Sequence, residues 1–394
     1  MSSTIPLSAS PRVVPFLVRN VAIVFFGFLA VGAPLPVLAL FVHDTLGFGA
    51  TTVGWIIGIQ SIAAVFSRHR AGTLADSRGP RQALLLGLPV AALAGLFYLA
   101  AALAPWSPEA RLALLVPGRL ILGIGESLFL TGAMSLGIGT LGPQRAGTVM
   151  SWQGIAMYAA LGLGAPLGLA VHAAAGFAGV AVLAIATPLV VLPLAFAAKD
   201  VPGSSGERVP FYRVVSLIWR QGLVLALATI PFAAMATFLV LAYAARDWSG
   251  AGAALAAFGA GYVAVRLVGS HLPDRFGGAR TAGWSLTIEA VGQAMLWLAP
   301  NPAVALAGAL LTGIGFSLIF PSMGVEATRR VTPELRGRAV GNFTAFFDIA
   351  IGLTGPLVGL LVGPLGFQSA FLVGALATLA AIGLLLDDGR RASA

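Results

Sequence analysis

The 394-residue sequence has no cysteine, four histidines and few charged residues of either sign. Without cysteine the chain has no disulfide framework, no thiolate metal site and no cysteine nucleophile, and four scattered histidines do not suggest a metal cluster. Asp, Glu, Lys and Arg make up 9% of the chain, against roughly 25% in soluble proteins. So few charges cannot cover the surface of a soluble protein of this size. We therefore expect a membrane protein that needs no metal and no other cofactor.

What the sequence has in abundance is hydrophobic residues, which account for 58% of the chain. A membrane-spanning helix takes about 20 mostly apolar residues, and the uncharged runs predict six spans in each half of the chain. In the first half these are residues 20–43, 45–67, 82–108, 110–140 and two spans within 146–198 that separate near Ala173–Gly176. In the second half they are residues 221–245, 250–272, 281–299, 303–327, 339–363 and 366–386.

The polar stretch between the two sets of spans predicts a domain boundary. Residues 199–215 carry charges of both signs and the run Pro-Gly-Ser-Ser-Gly at 202–206, a composition typical of linkers. We therefore predict an all-α membrane protein with 12 transmembrane helices, arranged as one six-helix bundle in residues 1–198 and another in residues 216–394.

The distribution of basic residues predicts the orientation in the membrane. If the N-terminus is cytoplasmic, all but three of the 23 Lys and Arg fall in cytoplasmic tails and loops, and the exceptions are Arg111, Arg119 and Arg246. Because basic loops stay on the cytoplasmic side, we expect both termini to be cytoplasmic. Topology and attraction to anionic lipid head groups then explain the net charge of +9, so nucleic acid is not an expected partner.

Short motifs repeat between the two halves. Three residues that follow the second span recur after the eighth, 198 positions later, with Arg68, Asp76 and Gly79 matched by Arg266, Asp274 and Gly277. Two further pairs of motifs are Gly123-Ile-Gly125 with Gly313-Ile-Gly315, and Pro166 with Pro356. Duplicated halves with a substrate site between them are typical of secondary transporters.

Three segments carry a family resemblance. They are Gly72-Thr-Leu-Ala-Asp-Ser-Arg-Gly-Pro-Arg81, Arg119-Leu-Ile-Leu-Gly-Ile-Gly-Glu126 and Gly162-Leu-Gly-Ala-Pro-Leu-Gly168. They resemble the loop 2–3, span-four and span-five signatures of the major facilitator superfamily, although Ala165 stands where the antiporter signature has glycine. Pro34-Leu-Pro36 and Asp348-Ile-Ala-Ile-Gly-Leu-Thr-Gly-Pro356 further resemble the YhhS/YfcJ-like branch of predicted bacterial exporters.

The resemblance implies the major facilitator fold, a monomer in the bacterial inner (cytoplasmic) membrane, and export of a small molecule in exchange for protons. It also implies that the repeated basic motifs form a gating latch that closes the cytoplasmic side. The residues of this latch are Arg68, Asp76, Gly79, Arg81, Arg266, Asp274 and Gly277. An alternative interpretation is a pair of glycine turns whose charges set topology alone.

An ionisable residue inside a span costs roughly 2.5–3.5 kcal/mol and therefore tends to pair or to face water, and four such residues stand out as candidates. Arg119 and Glu126 lie two turns apart on one helix face, about 10.5 Å along the axis, so they can share a cavity without pairing directly. Asp348 lies in span eleven, and Glu289 in span nine has Gln293 one turn away as a possible hydrogen-bond partner. We predict proton coupling or transport roles for these four residues. The alternatives are a neutral buried acid for Glu289 and an interhelical clamp on backbone carbonyls for Arg119.

The family fold also implies which residues line the substrate cavity between the halves. These candidates are Asn20, Phe28, Gln60, Trp152, Gln153, Tyr158, Tyr243, Asn342 and Phe346. Aromatic rings, amides and nearby acids suit an amphipathic or cationic solute. The alternative is that these side chains serve helix packing and the interfacial aromatic belts.

No motif favours an enzyme, because the glycine-rich stretches lie within apolar helices and no Walker signature is present. The sequence therefore predicts a secondary active transporter, a proton-coupled exporter of drugs or metabolites, whose partners are a small-molecule substrate, protons and the lipid bilayer. An importer or facilitator of a small polar solute such as a sugar is the alternative. A non-transport membrane sensor or assembly partner is a third possibility.

Overall fold

The computed structural model describes residues 13–199, 201, 211–331 and 336–393 of the chain. Nearly all of these residues are helical, and no strand occurs among them. In chain order the helices are α1 (Val13–Gly32), α2 (Pro34–Leu40), α3 (Ala50–Arg78), α4 (Pro80–Leu103), α5 (Pro108–Leu141), α6 (Ala146–Val190), α7 (Leu192–Phe196), α8 (Phe211–Ala244), α9 (Ala251–Gly269), α10 (Leu272–Phe276), α11 (Gly278–Leu298), α12 (Pro302–Phe316), α13 (Ile319–Arg329), α14 (Arg336–Leu365) and α15 (Ser369–Ser393). A helix satisfies its own backbone hydrogen bonds, which the hydrocarbon core of a membrane cannot satisfy for it.

Ten helical stretches of the described residues are long and apolar enough to cross a membrane. The first joins α1, α2 and a π-helical turn, Phe41–Thr45, into one stretch. The longest, Ala146–Phe196, contains 51 residues, more than twice what one crossing takes. Within it Gly176 has φ 63° and ψ −168°, a conformation that glycine adopts without the penalty a Cβ would impose. The division between two helices that was predicted near Ala173–Gly176 is therefore confirmed.

The boundaries of the polar segments differ from the prediction in two places. The basic stretch after span two was expected to be a loop, but α3 continues to Arg78 and the chain turns at Gly79, which has φ 93°. Its arginines extend the helix because their long side chains can reach polar surroundings from within it. The linker was predicted to end at residue 215, whereas α8 already begins at Phe211. Residues 202–210 of the linker lie outside the described residues.

Two buried apolar cores lie mostly within the two halves of the chain, α1–α7 and α8–α15, and each also includes residues of the other half. The halves contact each other mainly through three helix pairs, α3 with α14, α6 with α9, and α2 with α8. By contrast α1, which precedes α2, packs mainly on α5 and α6 of its own half. The halves are therefore in contact at the end of the molecule where α2 leads into α3.

Glycines allow the two larger contacts between the halves. Where α3 packs on α14, a Cβ at Gly54 or Gly58 would collide with the backbone carbonyl oxygens of Gly355 or Gly352. Where α6 packs on α9, a Cβ on Gly162 would lie 2.9 Å from the Cα of Gly259. Small residues of this kind let membrane helices approach closely. We call the α3/α14 contact the first interface and the α6/α9 contact the second interface.

Candidate functional site

An ion pair crosses the first interface. The Nη2 of Arg68 in α3 lies 2.5 Å from the Oδ2 of Asp348 in α14. The Asp348 side chain is 8% exposed and the Arg68 side chain 29% exposed. Arg68 thus belongs to a helix and faces the other half of the molecule. An ion pair in a mostly buried position holds α3 and α14 together only while both groups are charged.

A second carboxyl group lies beside this ion pair. The Nε2 of Gln60 in α3 donates a hydrogen bond of 2.5 Å to the Oε2 of Glu126 in α5. The charge of Arg68 acts on Glu126 as well as on Asp348, and the two carboxyl groups also act on each other. Gln60, Arg68, Glu126 and Asp348 therefore form one electrostatic unit, which we call the carboxylate cluster.

Arg119 supports the carboxylate cluster from within the first half. Its side chain is 1% exposed, and its guanidinium donates to the backbone carbonyls of Ile56 and Ile57 in α3 at 2.9 and 2.8 Å. A third hydrogen bond, of 3.5 Å, reaches the hydroxyl of Tyr98 in α4. These hydrogen bonds are those of an interhelical clamp, and they fix α3 one turn before Gln60.

Glu289 lies apart from the carboxylate cluster, inside the second half. Its side chain in α11 is fully buried, and neither carboxylate oxygen accepts a hydrogen bond from a described residue. The expected bond from Gln293 is not made, because Gln293 donates to the hydroxyl of Thr312 in α12 at 3.1 Å. A buried carboxyl group without a basic partner is costly in its charged form.

Aromatic rings occupy the second interface. Tyr158 of α6 stacks on Tyr262 of α9 with ring centroids 3.8 Å apart, and it contacts Phe232 and Phe316 edge-on at 5.5 and 5.8 Å. Phe232 in turn stacks on Phe258 at 5.2 Å. We call these five residues the aromatic cluster. Stacked and edge-to-face pairs at such distances are attractive in addition to the apolar area they bury.

Arg266 lies beside the aromatic cluster. It is 6% exposed, its Nη1 donates to the carbonyl of Ser317 at 2.8 Å, and its guanidinium carbon lies 5.8 Å from the centre of the Tyr262 ring. Its Nε is buried and has no hydrogen-bond partner among the described residues. None of the ion pairs found in the described part of the chain includes Arg266.

The other residues predicted for the gating latch lie at the helix ends. Asp76 and Asp274 are exposed. Gly79 and Gly277 form matching turns, with φ of 93° and 88° and ψ of 147° and 148°. Arg81 donates to the carbonyl of Phe196 at 2.7 Å. The predicted latch is therefore divided, because Arg68 and Arg266 lie within the interfaces and the remaining residues lie at helix ends.

The predicted cavity residues are likewise divided. Gln60 and Tyr158 lie at the first and second interface, respectively. Asn20 and Gln153 are buried and donate to backbone carbonyls of α5, at Ala133 and Leu130. The side chain of Asn342 lies outside the described residues.

The four aromatic candidates are placed in different surroundings. Phe28 packs edge-on against Phe129 at 6.0 Å, and Phe346 packs over Gly222. Tyr243 donates to the carbonyl of Pro302 near the end where the halves are in contact, whereas Trp152 is exposed. Helix packing thus accounts for Phe28 and Phe346.

Four members of the aromatic cluster, Phe232, Phe258, Tyr262 and Phe316, were not among the predicted site residues. One signal was available in the sequence. Gly123-Ile-Gly-Glu126-Ser-Leu in α5 aligns with Gly313-Ile-Gly-Phe316-Ser-Leu at the end of α12, so Phe316 occupies the position that corresponds to Glu126. A search for repeated motifs that differ at one chemically important position would have found Phe316.

Comparisons with known proteins agree with this architecture. The sequence profile of the Major Facilitator Superfamily matches residues 21–249 and 225–393. An uncharacterized MFS-type transporter of Salmonella typhimurium is 42% identical over 363 residues, which cover 92% of this chain and 94% of that protein. An uncharacterized MFS-type transporter of Burkholderia mallei is 43% identical over 369 residues, which cover 93% of this chain and 90% of that protein.

Solved structures share the fold at low sequence identity. The human organic anion transporter MFSD10 superimposes with a TM-score of 0.70 at 16% identity, covering 95% of this chain and all of that one (100%). The nucleoside transporter NupG superimposes with a TM-score of 0.71 at 16% identity, covering 94% of this chain and 98% of that one. At such identities the likeness concerns the fold alone.

Proposed function

Because the chain belongs to the major facilitator superfamily, we propose that it exports a small molecule by alternating access in exchange for protons. The observation that supports proton coupling is the carboxylate cluster. Asp348 and Arg68 pair across a contact that must open when the halves move apart, and Glu126 lies within the electrostatic reach of the same arginine. A change in the separation of the halves therefore changes the charge environment of both acids.

The coupling follows from the two influences on a buried carboxyl group. Burial disfavours its charged form, whereas a neighbouring guanidinium favours it. When the first interface opens, Arg68 leaves Asp348 and the acid binds a proton; when the interface closes, Arg68 returns and the proton leaves. Glu126 is a second candidate, because Arg68 and Arg119 contribute to its electrostatic surroundings and the charge of Asp348 moves away from it when the first interface opens. Glu289 is the next candidate for the carrier.

We propose that the helices make twelve crossings in two bundles, residues 1–198 and 216–394, joined by a cytoplasmic linker, with both termini cytoplasmic. Ten crossings meet the criteria of length and composition. Counting Ala146–Phe196 as two crossings that divide at Gly176 adds one. The helix α11 adds another, because its 21 residues span a bilayer even though it carries Glu289. The protein would then be a monomer in the bacterial inner membrane.

Single cysteines test this topology, since the chain has none of its own. Replacing Ala104 or Asn301 should allow labelling by an impermeant maleimide from outside intact cells. Replacing Ser205, in the predicted linker, should allow labelling only after the cells are opened. External labelling at position 205 would contradict the proposed topology, because it would place the linker outside the cell.

With this topology the end at which the halves are in contact faces outward, so the described state is open toward the cytoplasm. Asp76 and Asp274 are exposed at helix ends, where the side chains of a latch that closes the cytoplasmic side would lie. We therefore retain Asp76, Gly79, Arg81, Asp274 and Gly277 as the proposed gating latch.

Transport is tested with a panel of radiolabelled aromatic and amphipathic solutes in cells with and without the protein. Export predicts lower accumulation in the expressing cells, and an uncoupler should abolish the difference. Higher accumulation in the expressing cells would instead indicate import, and a difference insensitive to the uncoupler would indicate facilitated diffusion. No difference for any solute would favour a role other than transport.

The double variant Glu126→Gln, Asp348→Asn tests which groups couple the protons. It should lose transport against a gradient but keep counterflow, because exchange of labelled for unlabelled solute moves no net proton. If the double variant still concentrates solute under a proton gradient, neither acid is the carrier and Glu289→Gln becomes the next variant to measure.

A further inference from the structure

The two interfaces between the halves occupy equivalent positions of the duplicated chain. Arg266 follows Arg68 by 198 residues, and Phe316 follows Glu126 by 190. The aligned motifs Gly162-Leu-Gly-Ala-Pro166 and Gly352-Leu-Thr-Gly-Pro356 have the same spacing of 190, so Tyr158 corresponds to Asp348. The arginine therefore occurs at both interfaces, whereas the carboxyl groups that compensate it occur at the first interface alone.

The guanidinium of Arg266 is consequently left without a counter-ion. Arg68 has Asp348 at 2.5 Å, but in the described part of the chain Arg266 takes part in no ion pair. It has one backbone hydrogen bond, and its buried Nε, like that of Arg68, has no hydrogen-bond partner among the described residues. A buried charge that lacks a partner is strongly unfavourable, and a guanidinium pairs best with a planar oxyanion such as a carboxylate.

Buried aromatic rings surround Arg266. Tyr158 and Tyr262 stack on each other, and Phe316 lies against both, 5.8 and 6.1 Å away between ring centroids. On the opposite helix Gly154 is partly exposed. A Cβ at this position would lie in ordinary contact with the Nη2 of Arg266 and the hydroxyl of Tyr262, both at 3.4 Å, so the glycine leaves room beside the polar edge of the cluster.

We propose that Arg266 and the aromatic cluster form a binding subsite for an organic anion that carries a planar ring, such as an aromatic carboxylate. This inference rests on the proposed function, because the bound anion would be the transported solute. It replaces the expectation of a cationic solute, since Asp348 and Glu126 already have Arg68 and Gln60 as partners. The solute then supplies at the second interface the negative charge that Asp348 supplies at the first.

Equilibrium binding to the purified full-length protein in lipid nanodiscs tests the subsite without any proton gradient. The probes are radiolabelled benzoate and naphthoate, competed by unlabelled benzamide, acetate and benzyltrimethylammonium. We expect saturable binding of at least one aromatic carboxylate. Benzamide lacks the charge, acetate lacks the ring and the ammonium ion has the opposite charge, so each should compete at least about tenfold less well.

Two arginine variants separate the subsite from a general effect of charge. Arg266→Gln should weaken binding of the aromatic carboxylate by about 10- to 100-fold, as expected for loss of a charged hydrogen bond. Arg275→Gln is the matched control, because Arg275 also lies over an aromatic ring, 5.1 Å from the centre of Phe276, but is exposed at a helix end. Its binding should equal that of the unmodified protein.

Three results would overturn the proposal: no binding of either carboxylate, equal competition by benzyltrimethylammonium, or unchanged binding in Arg266→Gln. The competition series needs no variant, so it decides the question even if Arg266→Gln does not fold. Failure here together with uncoupler-sensitive export of another solute would reject the subsite and leave the proposed function intact. Binding of benzoate without any transport would reject the proposed function instead.

Discussion

The two interfaces between the halves share a backbone arrangement and differ in chemistry. At each one an arginine from the second span of one half, α3 or α9, faces the other half, and glycines bring the helices close together. At the first interface Arg68 meets Asp348 and acts on Glu126. At the second interface Arg266 meets Tyr262 and has no acid partner among the described residues.

This difference indicates which features of the duplicated chain depend on packing and which on chemistry. Helix contact requires small residues at the crossing point, and both interfaces have them. The side chains beside the arginine are free to vary, because an acid and an aromatic ring can each accommodate a guanidinium, by charge or through the ring face. The proposed proton site and the proposed solute site therefore lie at different interfaces.

The largest effect should come from neutralising the acid of the first interface. Asp348→Asn should abolish transport against a gradient, because Arg68 would lose the partner whose charge changes with the state of the halves. Accumulation of the identified solute in proteoliposomes with an imposed pH gradient measures this. Glu109→Gln, which neutralises an exposed acid at the start of α5 outside both interfaces, is the control and should retain uphill transport. Uphill transport by Asp348→Asn would assign the proton to Glu126.

A smaller effect, on stability, is expected where the halves differ in the support of their interfaces. Arg119 clamps α5 to α3, and the corresponding residue of the second half is the buried Ala309. Arg119→Ala should lower the free energy of unfolding by about 2–3 kcal/mol through loss of charged hydrogen bonds. Denaturant titration in mixed micelles measures it, with the exposed Arg145→Ala as control. Equal stability of the two variants would show that the clamp is dispensable.

Bulky residues at the helix crossings should affect both interfaces similarly. A Cβ at Gly58 would collide with the carbonyl of Gly352, and one at Gly259 would lie 2.7 Å from the Cα of Gly162. Gly58→Val and Gly259→Val should therefore each cost about 1–3 kcal/mol of unfolding free energy. Gly383→Val is the control, because no atom lies within 4 Å of a Cβ there. A cost confined to one interface would contradict the shared packing arrangement.

The smallest effect on stability is expected at the turns that precede α4 and α11. Asp76 and Asp274 are exposed, so Asp76→Asn and Asp274→Asn should change the unfolding free energy by less than about 1 kcal/mol. If they belong to the latch, both variants should nevertheless transport more slowly, because the opposite state loses a charged acceptor. Initial rates of transport by well-folded variants check this. A rate equal to that of the unmodified protein would leave a purely topological role for the motif.

Much of the fold could be predicted because it depends on local properties of the chain. Long uncharged runs predict helices in lipid, and the break at Gly176 follows from a glycine between two such runs. Helix ends were less predictable. The arginines after span two were interpreted as a loop, yet α3 continues to Arg78, since a charged residue can extend a membrane helix when its side chain reaches polar surroundings.

The candidate site was predictable by residue type and less so by partner. Arg119, Glu126, Glu289 and Asp348 stand out in any sequence of this composition, because charge is costly in lipid. Their partners are set by helices that are distant in the chain. Glu126 shares a helix face with Arg119 but accepts its hydrogen bond from Gln60 of another helix. Glu289 receives no hydrogen bond from Gln293, one turn away on its own helix.

The sequence by itself therefore determined that this is a helical membrane protein with duplicated halves and buried ionisable residues. These features depend on hydrophobic runs and repeated motifs, which are properties of consecutive residues. Tertiary structure alone decided that Arg68 faces Asp348 while the equivalent Arg266 faces stacked rings without an acid. The physical reason is that a charge interacts over a few ångströms in space. Which residues come that close is fixed by the packing of helices from opposite halves.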